Sequence, residues 1–150
     1  MMDLAILPCG KKKIWDVSDV GPTRADEAYI GTLHKLTKEY ASMFCNGYVI
    51  LSAKHGFLAP KDIVPANYDL TFPTNQGISQ KELAAQLSTY TYDRIVLLTG
   101  KKYISVVKPI VRHKTDIVRP LAPYKGIGYM LQALQHAIAT NEPLHVRRNH

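Results

Sequence analysis

The sequence has little cysteine, no long apolar run and no internal repeat, and each shortage excludes a class of protein. Cys9 and Cys45 are its only cysteines. They form neither a disulfide framework nor a C-x-x-C redox pair, so a reducing cytosol is the expected compartment. No segment approaches the roughly 20 apolar residues of a membrane span, and no membrane partner is expected. Nine glycines and nine prolines without a period exclude a collagen-like chain. Met1 to Cys9 is apolar, but its cations, Lys11 to Lys13, follow the run instead of leading it. That order is the reverse of a signal peptide, so the segment is expected to stay in the mature protein. Histidines at 34, 55, 113, 136, 145 and 150 include no H-x-x-x-H pair and no H-E-x-x-H helix, so no metal and no other cofactor is expected. Thr99-Gly-Lys101 lacks the earlier glycine and the following hydroxyl residue of a Walker loop, and no G-x-G-x-x-G follows the first apolar run. Triphosphatase and dinucleotide chemistry are thereby disfavoured.

What is present suits one ordinary domain: 150 residues, 46% hydrophobic and 21% charged, enough for a sizeable core. Lys and Arg outnumber Asp and Glu by 19 to 12, a net charge of +7, which favours polyanionic or phosphorylated partners. Leu4–Pro8, Tyr48–Ser52 and Arg94–Thr99 are apolar runs of strand length, and Thr115–Arg119 is a weaker one, giving about four strands. Between them, Ala25, Tyr29, Leu33, Leu36, Tyr40 and Phe44 recur at helical spacing behind a Thr23-x-x-Asp26 box. A second helix starts at the Ser79-x-x-Glu82 box with Leu83, Leu87 and Tyr90 on one side. A third, Lys101 to Arg112, is interrupted by Pro109, and a fourth runs from Gly126 to Thr140 before Asn141-Glu-Pro. Strand and helix alternate, so the spacing predicts one α/β domain over 1–140, with parallel strands, helical crossovers and both sheet faces covered; 141–150 is expected to be a basic tail, frayed from His145. Ala53 to Gly77 holds Pro60, Pro65 and Pro73 without helical period, a long connection of the kind that carries function.

Ligands of open parallel sheets bind beyond the carboxyl ends of the strands. Each run here is followed by glycine paired with a cation: Cys9-Gly10-Lys11-Lys12-Lys13, Ser52-Ala-Lys54-His55-Gly56, Thr99-Gly100-Lys101, and Arg119 through Lys125-Gly126-Ile-Gly128. Glycine admits close backbone approach and lysine adds charge, so one rim is expected to be an anion-binding cup. For catalysis, Cys9 beside three lysines is expected to have a depressed pKa with His55 as its base, although a strand-end cysteine is more often a small buried hydrophobe. Asp62 and Asp69 lie in the long connection with His55 and Tyr68, where a carboxylate could orient a water, while Asp62 could instead cap a turn. Trp15, Phe57, Tyr68 and Phe72 could stack on a base or anchor the loop.

Taken together, Cys9-Gly-Lys-x-Lys13, Tyr29 with Gly31, Leu51-Ser-Ala-Lys-x-Gly-x-Leu58, Asp62 and Tyr68-Asp69 resemble a small uncharacterised bacterial and phage family with C-[SG]-K-x-K and L-S-A-K-x-G-x-L motifs. Leu51-Ser52, Gly56, Leu58, Pro60, Asp62 and Tyr68 are also similar to a block of the YaaA peroxide-stress family, with the spacing slipping by about a residue near Tyr68. The resemblance implies a fold related to uracil-DNA glycosylases, a three-layer α/β/α sandwich around a mainly parallel sheet, and, through YaaA, DNA binding. The chain lacks the extra length of YaaA, which puts duplex binding in doubt. Cys9, Lys11, Lys13, Ser52, Lys54, Gly56, Tyr68 and Asp69 carry over as a site without roles.

The leading expectation is a protein that holds a nucleotide, nucleobase derivative or nucleic-acid end in the cup. Gly10, Lys11, Lys13, Ser52, Lys54, Gly56, Tyr68, Gly100, Lys101, Gly126 and Gly128 would bind it. If an N-glycosidic bond is cleaved, Asp69 would stabilise the cationic sugar or orient water, and His55 would protonate the leaving base. The alternatives are a non-catalytic DNA- or RNA-binding module using the same cations, and a small anionic-ligand sensor. Oligomeric state is not legible from the sequence.

Overall fold

Strands buried on both faces need apolar residues at every position, and the first apolar run meets that demand. In the computed structural model, which describes residues 2–72 and 77–146, all six residues of β1 (Asp3–Pro8) are buried. β1 pairs in parallel with β3 (Gly47–Ser52) on one side and β6 (Arg94–Leu97) on the other, and β7 (Asp116–Val118) joins β6 in parallel. The four predicted runs are therefore four parallel strands. A fifth, β4 (Gly56–Leu58), folds back antiparallel on β3 to give the order β4-β3-β1-β6-β7. It lies inside the stretch read as a loop. That stretch also holds β5 (Ile63–Val64), which pairs with β2 (Thr23–Arg24) in a separate two-stranded ribbon. Strands this short carry too few residues for alternation to register.

Successive side chains of β1 go to opposite layers. Ala5 and Leu7 pack with Tyr40, Ala41 and Phe44 of α2 (Thr32–Phe44) and Leu134 and Ala137 of α5 (Ile127–Thr140). Leu4 and Ile6 pack with Leu83 and Leu87 of α3 (Gln80–Leu87), and with Tyr103, Val107 and Ile110 from the segment around α4 (Ile104–Val107). The result is the three-layer α/β/α arrangement, with two helical layers on a mainly parallel sheet. At the amino ends of β1 and β6, Arg94 grips Asp3 through two bonds, Nε to Oδ1 at 3.0 Å and Nη2 to Oδ2 at 2.7 Å, both partners buried.

Three local expectations fare differently. The Ser79–Glu82 capping box is present, with Ser79 Oγ accepting from Glu82 N–H at 3.1 Å. The helix expected over 25–44 is broken, because α1 (Ala25–Ala28) ends at Tyr29, which turns extended to bridge Lys13, and α2 restarts after Gly31. Thr23 forms no box; it lies in β2 and its hydroxyl donates to the Gly21 carbonyl. His145, expected to be frayed, is buried: the Tyr40 hydroxyl meets its Nδ1 at 2.5 Å and accepts from Leu144 N–H at 2.8 Å. The remainder of that tail, 147–150, and Pro73 fall outside the described residues. Among the described residues no helix is long and apolar enough to cross a membrane.

Candidate functional site

At the carboxyl end of β1 the chain turns at Gly10, whose φ of +75° is left-handed and costs little only for glycine. The turn lets Lys13 bridge Tyr29, while Asp16 fastens it by accepting from the Lys13 backbone N–H at 2.8 Å. Lys13 is thereby drawn inside, 3% exposed. Its Nζ donates to the Lys11 carbonyl at 3.1 Å and sits 4.5 Å from the centre of the Tyr68 ring. The ion pairs among the described residues are Arg24–Asp26 and Arg94–Asp3, so this buried ammonium is held by one carbonyl and a ring face, with no carboxylate in contact. Asp16 acts on it only from beyond ion-pair distance, and burying an ammonium without a carboxylate in direct contact costs stability.

The second wall is the hairpin from β3 to β4. Ser52 Oγ accepts from the backbone N–H groups of Lys54 at 3.2 Å and His55 at 3.1 Å, which tightens the turn and leaves Lys54 exposed. Gly56 closes it at φ +78°, where a side chain would collide with Gln86 at 2.1 Å and Ile78 at 2.5 Å. Gln86 fills that space to bind the backbone on both sides, accepting from Phe57 N–H and donating to the His55 carbonyl. Gly56 is thus a buried packing residue, and the structure gives it no ligand-facing surface.

Tyr68 joins the two walls. Its hydroxyl lies 2.7 Å from Ser52 Oγ and 2.5 Å from the Tyr29 hydroxyl. Because Ser52 Oγ already accepts two N–H bonds, its own proton goes to Tyr68, and Tyr68 donates in turn to Tyr29. The Lys54 ammonium is 5.8 Å from the same ring, and His55 packs edge-on at 5.1 Å. Burial raises the Tyr68 and Tyr29 hydroxyls, the latter to about 12, so both stay protonated donors at neutral pH. Beside Tyr68 opens a cleft of about 470 Å³ lined by Lys11, Asp16, Asn67, Tyr68 and Asp69. Asn67 is positioned by donating to Asp16 at 3.3 Å.

The expected catalytic residues behave otherwise than their spacing suggested. Cys9 is buried, and burial pushes its thiol up despite the opposing field of Lys13; its partners include the Tyr103 hydroxyl. It is therefore a thiol at neutral pH, and a depressed pKa is not found. Burial and the Lys54 charge hold His55 low, favouring the neutral imidazole, which suits accepting a proton better than donating one. Asp69 is exposed on the wall of the cleft. Asp62 caps a turn, accepting from Ala59 N–H at 2.8 Å. Trp15 donates to the Gly21 carbonyl, and Phe57 and Phe72 are core residues, so these three anchor the loops.

Of the predicted rim, Cys9, Gly10, Lys11, Lys13, Ser52, Lys54, His55, Tyr68 and Asp69 form one neighbourhood. Gly100 and Lys101 start the short turn that delivers Tyr103 to Cys9, with Lys101 itself exposed. Gly126 and Gly128 line a different hollow with Tyr129 and Gln132. Asp16, Asn67 and Tyr103 were missed as site residues, and Tyr29 was legible on a helix face and in the family resemblance but without a role. Asn67-Tyr68-Asp69 was legible as a polar, aromatic cluster, but its pairing with Asp16 depends on tertiary contact. His34 was also passed over: it is buried under the Pro8 carbonyl, with Nδ1 at 2.8 Å and Nε2 without a partner among the described residues.

Comparison with known proteins places this geometry in a lineage without assigning it a reaction. The Bacillus subtilis (strain 168) protein named "Uncharacterized protein YfjM" is 47% identical over 150 residues, spanning 96% of this chain and 100% of that protein. Residues 4–136 match a family of unknown function, DUF6884, and the match covers every residue around Tyr68. The chain belongs to that family.

Proposed function

We propose that the protein binds a phosphate-bearing nucleobase compound, a nucleotide or the end of a nucleic acid, in the cleft at Tyr68. The observation that carries this reading is Lys13, a buried ammonium in contact with no carboxylate. A phosphate bound beside Tyr68 would add to the field that Asp16 exerts on Lys13 from beyond ion-pair distance, Lys11 would hold it from the cleft wall and Lys54 from beside the ring, and Tyr68 in the same wall would contact a base. The resemblance of the Leu51–Tyr68 sequence block to YaaA, which implies a fold related to uracil-DNA glycosylases, favours the same ligand class. Cys9 and Cys45 are not joined in a disulfide, which favours a reducing, cytoplasmic setting.

In the catalytic form of the proposal Asp69 stabilises a cationic sugar or orients water while an N-glycosidic bond breaks. Asp69→Asn then abolishes base release and leaves affinity within a few fold. Equal turnover by that variant, or no base release from any nucleoside, nucleotide or DNA by the unaltered protein, leaves binding alone. Binding is tested by titrating nucleoside monophosphates at rising salt. A single-nucleotide pocket gives the slope of one or two phosphate contacts, about 0.7 to 0.9 each, whereas a non-catalytic polyanion-binding module gives a steeper slope with oligonucleotides and no monophosphate binding. No binding of either at low salt rejects the proposal.

A further inference from the structure

Residues 101–119 carry Lys101, Lys102, Lys108, Arg112, Lys114 and Arg119 against a single acid, Asp116. The segment leaves the carboxyl end of β6, crosses one sheet face through α4, and returns as β7, the outermost strand. Its apolar side, Tyr103, Val107 and Ile110, is spent on the core. The cations face outward, and Lys108, Arg112, His113, Lys114 and Arg119 surround a cleft of about 540 Å³ with Ile104 and Ile117 between them. Arg112 is anchored, donating to the Tyr92 carbonyl with its guanidinium 4.1 Å from the Tyr92 ring centre. The ion pairs among the described residues involve none of these side chains.

We propose that this cleft beside β7 is a second phosphate-binding surface, the track of a single-stranded nucleic acid whose end occupies the Tyr68 cleft. The inference rests on the nucleotide reading of that first cleft. Two features favour nucleic acid over an acidic peptide. Lys101 and Lys102 follow the carboxyl end of β6, beside the strand β1 that leads into Lys11 and Lys13, and Lys108, Arg112 and Lys114 carry the cations on from there to the amino end of β7. Ile104 and Ile117, set between the cations, give apolar contact for bases between phosphates.

The test compares a mixed-sequence single-stranded DNA of about 20 nucleotides with nucleoside monophosphates on the native protein and on Lys108→Glu/Lys114→Glu. Loss of two phosphate contacts lowers the salt slope by about 1.4 and the affinity for the long strand by at least about 20-fold near 0.1 M salt, while monophosphate affinity is unchanged. Unaltered long-strand affinity and slope in the variant overturn the inference, and monophosphate binding in that same experiment leaves the Tyr68 reading standing. Polyglutamate competing as well as DNA, charge for charge, overturns it in favour of an acidic protein partner. If neither DNA nor monophosphate binds, the Tyr68 reading fails and this inference with it.

Discussion

Lys13 packs on the Tyr68 ring, and each brings inside a polar group that needs partners. The ammonium would be costly inside the protein without a ring face and a carbonyl, and the Tyr68 hydroxyl would be costly there without Ser52 and Tyr29. Tyr68→Phe keeps the ring but removes the hydroxyl that links Ser52 to Tyr29. It is expected to lower stability by about 1 to 3 kcal/mol, read from urea unfolding, while ligand binding through the ring and lysines persists. Unchanged stability would mean that the hydroxyl chain is not formed. Of this cluster, Cys9, Lys11, Lys13, Ser52 and Lys54 were legible because they stand at strand ends, and Tyr68 and Asp69 because they lie in the long connection and in the block that resembles a known family. The low reactivity of Cys9 was not legible. Cys9 belongs to the apolar core, and burial there outweighs the field of Lys13.

At the scale of elements, the sheet is tied at one end by the bidentate Asp3–Arg94 pair between β1 and β6 and shaped at the other by the Gly56 hairpin. Asp3→Ala leaves a buried guanidinium unpaired and is expected to destabilise by about 3 to 5 kcal/mol, against a much smaller loss when both partners are replaced by apolar residues. Equal losses in the single and double variants would contradict a pairwise tie. Gly56→Ala forces a Cβ into Gln86 at a left-handed φ and should cost about 1 to 3 kcal/mol. The continuous apolar runs made the parallel strands readable, and the Ser79 box made α3 readable. The break at Tyr29 was hidden because its side chain stays on the same apolar face whether the backbone is helical or bridged to Lys13. β4 was hidden because three residues cannot show a period.

For the molecule as a whole, acid should weaken folding through His34 and ligand should strengthen it through Lys13. Burial holds His34 at about 4, below the 6.5 of an unfolded histidine. A depressed histidine contributes stability that is present above pH 6.5 and is lost as pH falls towards 4, by at most about 3 kcal/mol. His34→Gln should flatten the urea midpoint over that interval, and an equally steep decline in the variant would assign the effect to other groups. The most direct test of the central claim is the thermal midpoint of the native protein and of Lys13→Met, each with and without nucleoside monophosphates. If Lys13 is buried for an anion, ligand at about 100 times its dissociation constant stabilises the native protein by about 2.7 kcal/mol. Lys13→Met is then as stable as the native protein or more so without ligand, and gains nothing from it. An equal ligand-induced rise in both proteins, or a Lys13→Met variant that is markedly destabilised while native protein shows no rise, would contradict the account.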